Sequence, residues 1–306
     1  MYKNLAATLV AACCLSPAFS QPAAPLKIGF VYVAPITEAG WVRQHEEGRQ
    51  AVDKALGDKV ITTFVENVPE GADAERVIRD LAQQGHKLIF TPSFGYMEPT
   101  LKVARDFPEV KFESITGFKG APNVATANAR YYEGRYLAGV AAGRMTRTHL
   151  AGYVAGFPIP EVLQGINAFT LGMRSVNPKA QVKVVWLNAW FDPPRERDAA
   201  MTLFNQEVDV VAFHTGSTAV MAAAQERGVR EGMVRVGDFG PKVPPAVQAE
   251  VLARQKDIAS GKLRPFAGPI ADNEGHSVIP SGAALTDSQI LSMNFLVSGV
   301  QGKIAK

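Results

Sequence analysis

Large aromatic side chains are concentrated in the loops that follow the apolar, strand-like segments of this sequence. Two of the three tryptophans, Trp41 and Trp190, lie in such loops, and Phe94 and Tyr96 lie in another. A large ring in a solvent-facing loop stays exposed to water, which is unfavourable, unless another group packs against it. These rings could therefore stack on a flat heteroaromatic ligand, which is a binding chemistry rather than a reaction.

Four polar residues in comparable positions could orient such a ligand through hydrogen bonds. Asn128 and Asn188 follow predicted strands, and His214 ends another. Asp192 lies directly before two prolines that begin a predicted helix. Each of these residue types also has an ordinary structural use, in turns, at helix starts or at strand ends. Together with the four aromatic residues, they form our set of candidate ligand-binding residues.

The N-terminal segment has the layout of an export signal. Lys3 precedes a short apolar run over residues 5–15, and a small-residue site follows at residues 18–20. The run is shorter than the ~20 apolar residues that a membrane span needs. We therefore predict a signal peptide over residues 1–20 and a periplasmic mature protein. Residues 10–13 also resemble a lipobox, so lipid anchoring at Cys13 to the plasma membrane is the less favoured alternative.

The mature sequence offers little for catalysis, for a metal or for nucleic acid. Both cysteines, Cys13 and Cys14, lie inside the predicted signal, and the five histidines show no metal-binding spacing. Glycine-rich phosphate loops and nucleophile-elbow motifs are absent from the sequence. Loss of Lys3 leaves 31 basic against 29 acidic residues, which is too even for a nucleic-acid partner. We expect no enzyme activity and no cofactor.

Strand and helix patterns alternate along the chain in two successive blocks. The predicted strands cover residues 26–33, 59–68, 86–93, 110–116, 124–129, 150–157, 182–189 and 208–214. The predicted helices cover residues 42–56, 73–84, 98–107, 131–145, 162–176, 195–207 and 217–227. This alternation predicts parallel sheets built from βαβ units. The fold class is therefore α/β, with two doubly wound, Rossmann-like lobes and a ligand cleft between them, beyond the carboxyl ends of the strands.

The length of the chain is consistent with two lobes and a C-terminal extension. Removing 20 residues from 306 leaves 286, more than one hydrophobic core usually serves. We assign residues 26–129 to an N-terminal α/β lobe and residues 130–228 to a C-terminal α/β lobe. Residues 229–306 are predicted to form a hairpin around residues 272–275, with helices over 245–258 and 287–297, that packs on the lobes. Met293, Phe295 and Leu296 are predicted to be core residues there.

Several motifs spread over nearly the whole mature chain form a specific set. They are KIGFVY at 27–32, GW at 40–41, FVENVPEG at 64–71, FTPSFGY at 90–96, YYEGRYLAG at 131–139, GINAF at 165–169 and WLNAWFDP at 186–193. In combination they resemble the BMP (basic membrane protein, PnrA-like) family of ABC-transporter substrate-binding proteins. The resemblance implies a type I periplasmic-binding-protein fold, a two-lobed clamp that delivers its ligand to an ABC permease. The ligands of this family are nucleosides or purine bases.

Two departures from the family pattern affect the expected ligand and its binding. Where nucleoside-binding relatives carry Phe-Asn, this chain has Trp41 and Val42, so the Asn that helps to hold the ribose is absent. This favours a bare base of the adenine type over a nucleoside. After Gly228, relatives continue with another strand, a return crossover and a further helix, whereas residues 229–236 resemble a much later part of the family. The chain therefore looks internally shortened.

The resulting expectation is a monomeric, extracytoplasmic solute-binding protein that holds a purine-like base or nucleoside by aromatic stacking. One alternative is a nucleoside hydrolase-like enzyme on the same fold. That enzyme would need an acidic cluster after the first strand, where only Glu38 is available. Another alternative is a degenerate family member that binds nothing because its C-terminal half is shortened.

Overall fold

A computed structural model of the chain describes residues 24–228, 230–231, 239–240 and 242–304. The predicted signal peptide lies outside these residues. Within the described ranges, no helix combines the length and the apolar character that crossing a membrane requires.

Each strand and helix predicted from the sequence has a counterpart in the structure, with ends that differ by a few residues. The strands are β1 (Leu26–Val31), β2 (Val60–Val65), β3 (Leu88–Phe90), β4 (Lys111–Ile115), β5 (Val124–Ala127), β6 (Leu150–Ala155), β7 (Gln181–Trp186), β8 (Val210–His214), β9 (Arg230–Glu231), β10 (Ile270–Ala271), β11 (Ser277–Ile279) and β12 (Val300–Gln301). The helices are α1 (Trp41–Leu56), α2 (Ala72–Gln83), α3 (Met97–Asp106), α4 (Tyr131–Met145), α5 (Pro160–Val176), α6 (Pro193–Phe204), α7 (Ala219–Glu226), α8 (Pro245–Ala259) and α9 (Asp287–Leu291). The α/β fold class is confirmed.

The first sheet contains five parallel strands in the order β2-β1-β3-β4-β5. Apolar side chains cover both of its faces, as a parallel sheet requires. Val31, Ile78 and Phe112 belong to one core cluster, and Ile28 and Phe30 belong to a second. We call residues 24–127, which contain this sheet with α1, α2 and α3, the first half of the molecule.

The second sheet is also parallel, in the order β12-β7-β6-β8-β9. Its two outer strands come from the region after Gly228. Arg230 and Glu231 pair with β8, so the segment that directly follows the join provides the strand next to it. Val300 and Gln301 pair with β7 at the opposite edge. Residues 131–304 form the second half of the molecule.

Helices α4 and α5 pack at close range in the second half because glycines face each other's backbone. A Cβ at Gly139 would overlap the carbonyl oxygen of Phe169, and a Cβ at Gly172 would overlap that of Tyr136. The α4–α5 pair lies in the largest buried apolar cluster of the second half.

The C-terminal segment packs on the second half. The predicted hairpin is present as β10 and β11, and α8 contacts α4. The last helix, α9, ends at Leu291 instead of the predicted residue 297. The side chain of Asn167 explains the difference, because it donates to the Phe295 carbonyl over 2.7 Å and accepts from the Val297 amide over 2.9 Å. Met293 and Leu296 are buried, as predicted.

In the part of the chain that the structure describes, the backbone passes from the first sheet to the second once, between β5 and α4. A clamp with one described connection relies on contacts across the cleft to fix how its halves face each other. The loops at the carboxyl ends of the strands provide such contacts.

Candidate functional site

A cavity of about 730 Å³ lies between the two sheets. Its lining comes from the loops after β1, β3 and β4 in the first half and after β6, β7 and β8 in the second. This is the place where ligands bind in open parallel sheets, because the carboxyl ends of the strands meet there.

Trp41 is the first residue of α1 and forms one aromatic wall of the cavity. The preceding Gly40 has φ of 94°, a conformation that favours glycine, and a Cβ there would lie 2.9 Å from the carbonyl oxygen of Gly216 in the second half. The indole nitrogen of Trp41 donates to the Pro92 carbonyl over 2.7 Å. Its ring meets Tyr131 edge-on at 6.0 Å, and Tyr131 lines the cavity as well.

Trp190 forms a wall of the cavity on the side of the second half. Its ring packs edge-on against Phe157 at 4.9 Å, and its indole nitrogen donates to Glu70 Oε1 of the first half over 3.1 Å. The neighbouring Phe191 packs against the apolar cluster of the first half. This loop therefore connects the two halves directly.

Glu70 receives hydrogen bonds from three directions. Ser93 Oγ donates over 2.5 Å and the Gly95 amide over 3.1 Å, in addition to the indole of Trp190. A Cβ at residue 95 would overlap this carboxylate, so the glycine permits the close approach. Phe94, between these two donors, lines the cavity.

The base of the cavity in the second half contains a small set of polar side chains. His214 ends β8, and its Nε2 lies 3.9 Å from Glu161 Oε1. Burial, reinforced by the Arg135 guanidinium, lowers the pKa of His214 to about 3, so the ring is neutral. Its Nδ1 is buried without a hydrogen-bond partner among the described residues. Burial also raises the pKa of Glu161 to about 7, although Arg135 acts in the opposite direction.

Four of the eight candidate residues line this cavity: Trp41, Phe94, Trp190 and His214. The other four have structural positions instead. Tyr96 is fully buried in the first half, where its hydroxyl donates to the Val68 carbonyl over 2.6 Å. Asp192 accepts from the Arg195 amide over 3.1 Å and begins α6, which is the ordinary use of a carboxylate there.

The two asparagines shape loops and do not reach the cavity. Asn128 is exposed, and its side-chain oxygen accepts from the next amide, that of Ala129, over 2.8 Å. Asn188 is exposed with φ of 50°, a left-handed turn conformation that asparagine tolerates better than most residues. Both have the role in local backbone geometry that their residue type also predicted.

Tyr131, Arg135 and Glu161 are among the cavity-lining residues that the sequence-based set did not include. Tyr131 and Arg135 belong to the YYEGRYLAG motif, but on a helix they look like packing and surface residues. Glu161 follows Pro160 in the first turn of α5. A carboxylate is common at that position of a helix, so its presence does not indicate whether the side chain is buried. Their position at the cavity follows from how α4 and α5 pack. Within the described ranges no group of three or more metal-ligating side chains comes together.

Comparison with known proteins identifies the family. The family model for PnrA-like ABC transporter substrate-binding proteins (Bmp) matches residues 26–237. The chain belongs to this family. Its members are solute-binding proteins and not enzymes, so the hydrolase alternative is dropped.

Two relatives align with most of the chain. A purine-binding protein of Brucella abortus is 43% identical, with 91% of this chain and 94% of that protein covered. A protein of Haloferax volcanii named as an ABC transporter glucose-binding protein is 46% identical, with 90% and 80% covered. Among solved structures, ABC transporter solute-binding proteins from Aeropyrum pernix share the fold, with a TM-score of 0.60, 23% identity, and 78% of this chain and 72% of that chain covered.

The alignments agree with a shortened chain. The alignment with the Brucella protein spans 329 positions, yet it covers 91% of 306 residues, or about 278 residues of this chain. About 50 positions of that relative therefore have no counterpart here. The Haloferax alignment, 325 positions for 90% of the chain, gives a similar figure.

Proposed function

We propose that this protein is the extracytoplasmic solute-binding component of an ABC importer and that it captures a purine-type base in the cavity between its halves. The base would stack on the aromatic walls formed by Trp41, Phe94 and Trp190. It would then be handed to the permease at the plasma membrane when the halves separate. Family membership supports the transport role, and the name of the Brucella relative supports the ligand class.

The observation that carries this proposal is a cavity whose lining combines several large aromatic rings with polar side chains that could hold the edge of a base. Its volume of about 730 Å³ falls within the roughly 300–1,000 Å³ of small-molecule sites. Stacking of a base on an aromatic side chain contributes roughly 1–3 kcal/mol per base. Enclosure between the halves excludes water and strengthens the remaining polar contacts.

The apparent shortening of the chain does not affect the described lining of this cavity. Every described residue in its lining lies between Val33 and Met221, before the join that follows Gly228. One alternative was a degenerate family member that binds nothing because its C-terminal half is shortened. Since no described lining residue comes from the shortened region, the cavity gives that alternative no support.

Calorimetric titration of the mature protein with adenine, adenosine and glucose tests the ligand class. We expect adenine to bind more tightly than adenosine, because Trp41 and Val42 replace the pair that helps to hold the ribose in relatives. Glucose should bind weakly or not at all. Binding of glucose alone, or of none of the three, would overturn the proposal.

A pair of variants tests the stacking. Trp41→Phe and Trp41→Leu both lose the hydrogen bond to the Pro92 carbonyl, but only the first keeps a ring. The difference in their affinities for adenine therefore reports stacking, and we expect Trp41→Leu to bind about 5- to 150-fold more weakly than Trp41→Phe. Equal affinities of the two variants would place the base elsewhere in the cavity.

Export is tested by the intact mass of the processed protein. We expect a chain that begins near Gln21, after removal of residues 1–20. A mass that corresponds to an intact Met1, or to a lipid-modified Cys13, would contradict the predicted processing.

A further inference from the structure

Glu161 is a carboxyl group in the lining of the cavity that receives no hydrogen bond from the residues that the structure describes. It lines the cavity, its side chain is 14% exposed, and no described residue donates to it. The imidazole Nε2 of His214 lies 3.9 Å from its Oε1. A buried polar group of this kind is normally satisfied by something, and the open side of this one faces the ligand space.

The positive charge in the neighbourhood is directed elsewhere. Arg135 on α4 donates from Nη1 to the Phe213 carbonyl over 2.8 Å, and its guanidinium lies 5.7 Å from the ring centre of Tyr153. It forms no ion pair with Glu161 within 4.0 Å. Its charge lowers the pKa of the carboxyl, but burial raises it by more, and the result is about 7. The neutral and ionised forms are therefore both populated near neutral pH.

Apart from Arg135, the titratable groups around this carboxyl are three that carry no charge near neutral pH and two exposed carboxyl groups that also line the cavity. The imidazole of His214 is neutral because burial lowers its pKa to about 3. Burial raises the pKa values of Tyr131 and Tyr153 above the ordinary tyrosine value, so both keep their protons. Glu38 and Glu47 line the same cavity from the loop before α1 and from α1 itself, and both are exposed.

A neutral carboxyl group presents one O–H donor and one carbonyl acceptor side by side, whereas a carboxylate presents two acceptors. Building on the proposed function, we propose that Glu161 in its neutral form recognises the edge of the bound base through one donated and one accepted hydrogen bond. The ligand class is then a base with an acceptor next to a donor. Adenine has such an edge, with a ring nitrogen beside its amino group, and hypoxanthine has one with its carbonyl beside a ring N–H. Guanine shares the carbonyl beside a ring N–H with hypoxanthine and adds an amino donor next to that N–H, so it offers a pairing to a neutral carboxyl and to a carboxylate.

This form of recognition links affinity to pH in a defined direction. Glu161 loses its donor when it ionises, so the apparent affinity follows the neutral fraction. With a pKa of about 7, that fraction and the affinity for adenine fall about tenfold between pH 6 and pH 8. Recognition by the carboxylate would make affinity rise with pH instead.

Calorimetric titration with adenine at pH 6, 7 and 8 tests this on the wild type and three variants. Glu161→Gln keeps a donor beside an acceptor, so it should bind within about threefold of the wild type at pH 6 and show no pH dependence. Glu161→Leu should bind about 10- to 100-fold more weakly than the wild type at pH 6 and show no pH dependence, because the edge of the base is left without partners. The matched control Glu109→Gln changes an exposed carboxyl that does not line the cavity and should keep the wild-type affinity and pH profile.

The outcomes separate this inference from the proposed function. Two results would overturn the recognition by neutral Glu161 and leave the proposed function intact. One is an affinity of Glu161→Gln for adenine at pH 6 that is more than about tenfold below that of the wild type. The other is a wild-type affinity that stays constant or rises with pH. A wild type that binds no purine would overturn the proposed function and this inference with it. The melting temperatures of the unliganded variants show whether each is folded, and the Gln variant decides the result if the Leu variant is not.

Discussion

Trp190 joins the two halves of the molecule, and Trp190→Phe removes its N–H while keeping an aromatic ring. The indole nitrogen donates to Glu70 Oε1 over 3.1 Å, and the same oxygen also accepts from Ser93 Oγ and the Gly95 amide. In the variant the carboxylate keeps both of these donors, so it is not left buried and unpaired. The substitution therefore measures the net contribution of one charge-assisted hydrogen bond across the cleft.

A hydrogen bond to a charged group contributes about 1.5–3 kcal/mol, and partial exposure of both side chains favours the lower value. Loss of about 1.5 kcal/mol from the closed arrangement should weaken binding of a ligand held between the halves about tenfold. Trp186→Phe is a matched control, because its indole nitrogen donates to the Lys303 carbonyl over 3.1 Å within the second half. We expect the control to keep its affinity within about twofold.

The assays are calorimetric titration with adenine and small-angle X-ray scattering of the unliganded proteins. Trp190→Phe should bind more weakly and show a larger radius of gyration than the wild type, and Trp186→Phe should show neither effect. Unchanged affinity and unchanged size in Trp190→Phe, or equal losses in both variants, would refute the reasoning that this bond holds the halves together.

Three further predictions concern stability. Arg49→Met should lower the free energy of unfolding by about 3 kcal/mol in a denaturant titration, because Arg49 forms two hydrogen bonds, of 2.6 and 2.8 Å, with the buried Glu46. Since Arg49 lowers the pKa of Glu46, the wild type should keep this contribution until the pH falls below the usual carboxyl range, and the variant should show no such step. Gly172→Ala should destabilise by at least about 1–3 kcal/mol, because its Cβ would overlap the Tyr136 carbonyl, whereas Gly48→Ala, with open space around it, should be neutral or slightly stabilising. In limited proteolysis the second half should be cleaved before the first, since its outer strand β12 covers two residues and leaves most of the edge of β7 without a paired strand among the described residues; equal resistance of the halves would contradict this.

The alternation of apolar strands and amphipathic helices determined the fold class and the position of the site. Parallel strands need a helix between them, and their carboxyl ends then meet along one edge, whatever the packing details are. For the same reason the candidate binding residues were chosen from the loops after those strands. Four of the candidates chosen in this way line the cavity, namely Trp41, Phe94, Trp190 and His214.

Only the tertiary structure decided which residues of those loops face the cavity. Tyr96 lies two residues after Phe94, but a short helical turn directs it into the core, and no composition rule separates the two rings. Glu161 could not be identified from the sequence, because a carboxylate in the first turn of a helix is ordinary and usually solvated. Here tertiary packing removes most of its contact with water. Its raised pKa comes from the burial that α4 and β8 impose on it, and burial is a property of segments distant in sequence. Residue types and their spacing can place side chains at an edge of a sheet, whereas solvation and charge depend on which distant segments pack around them.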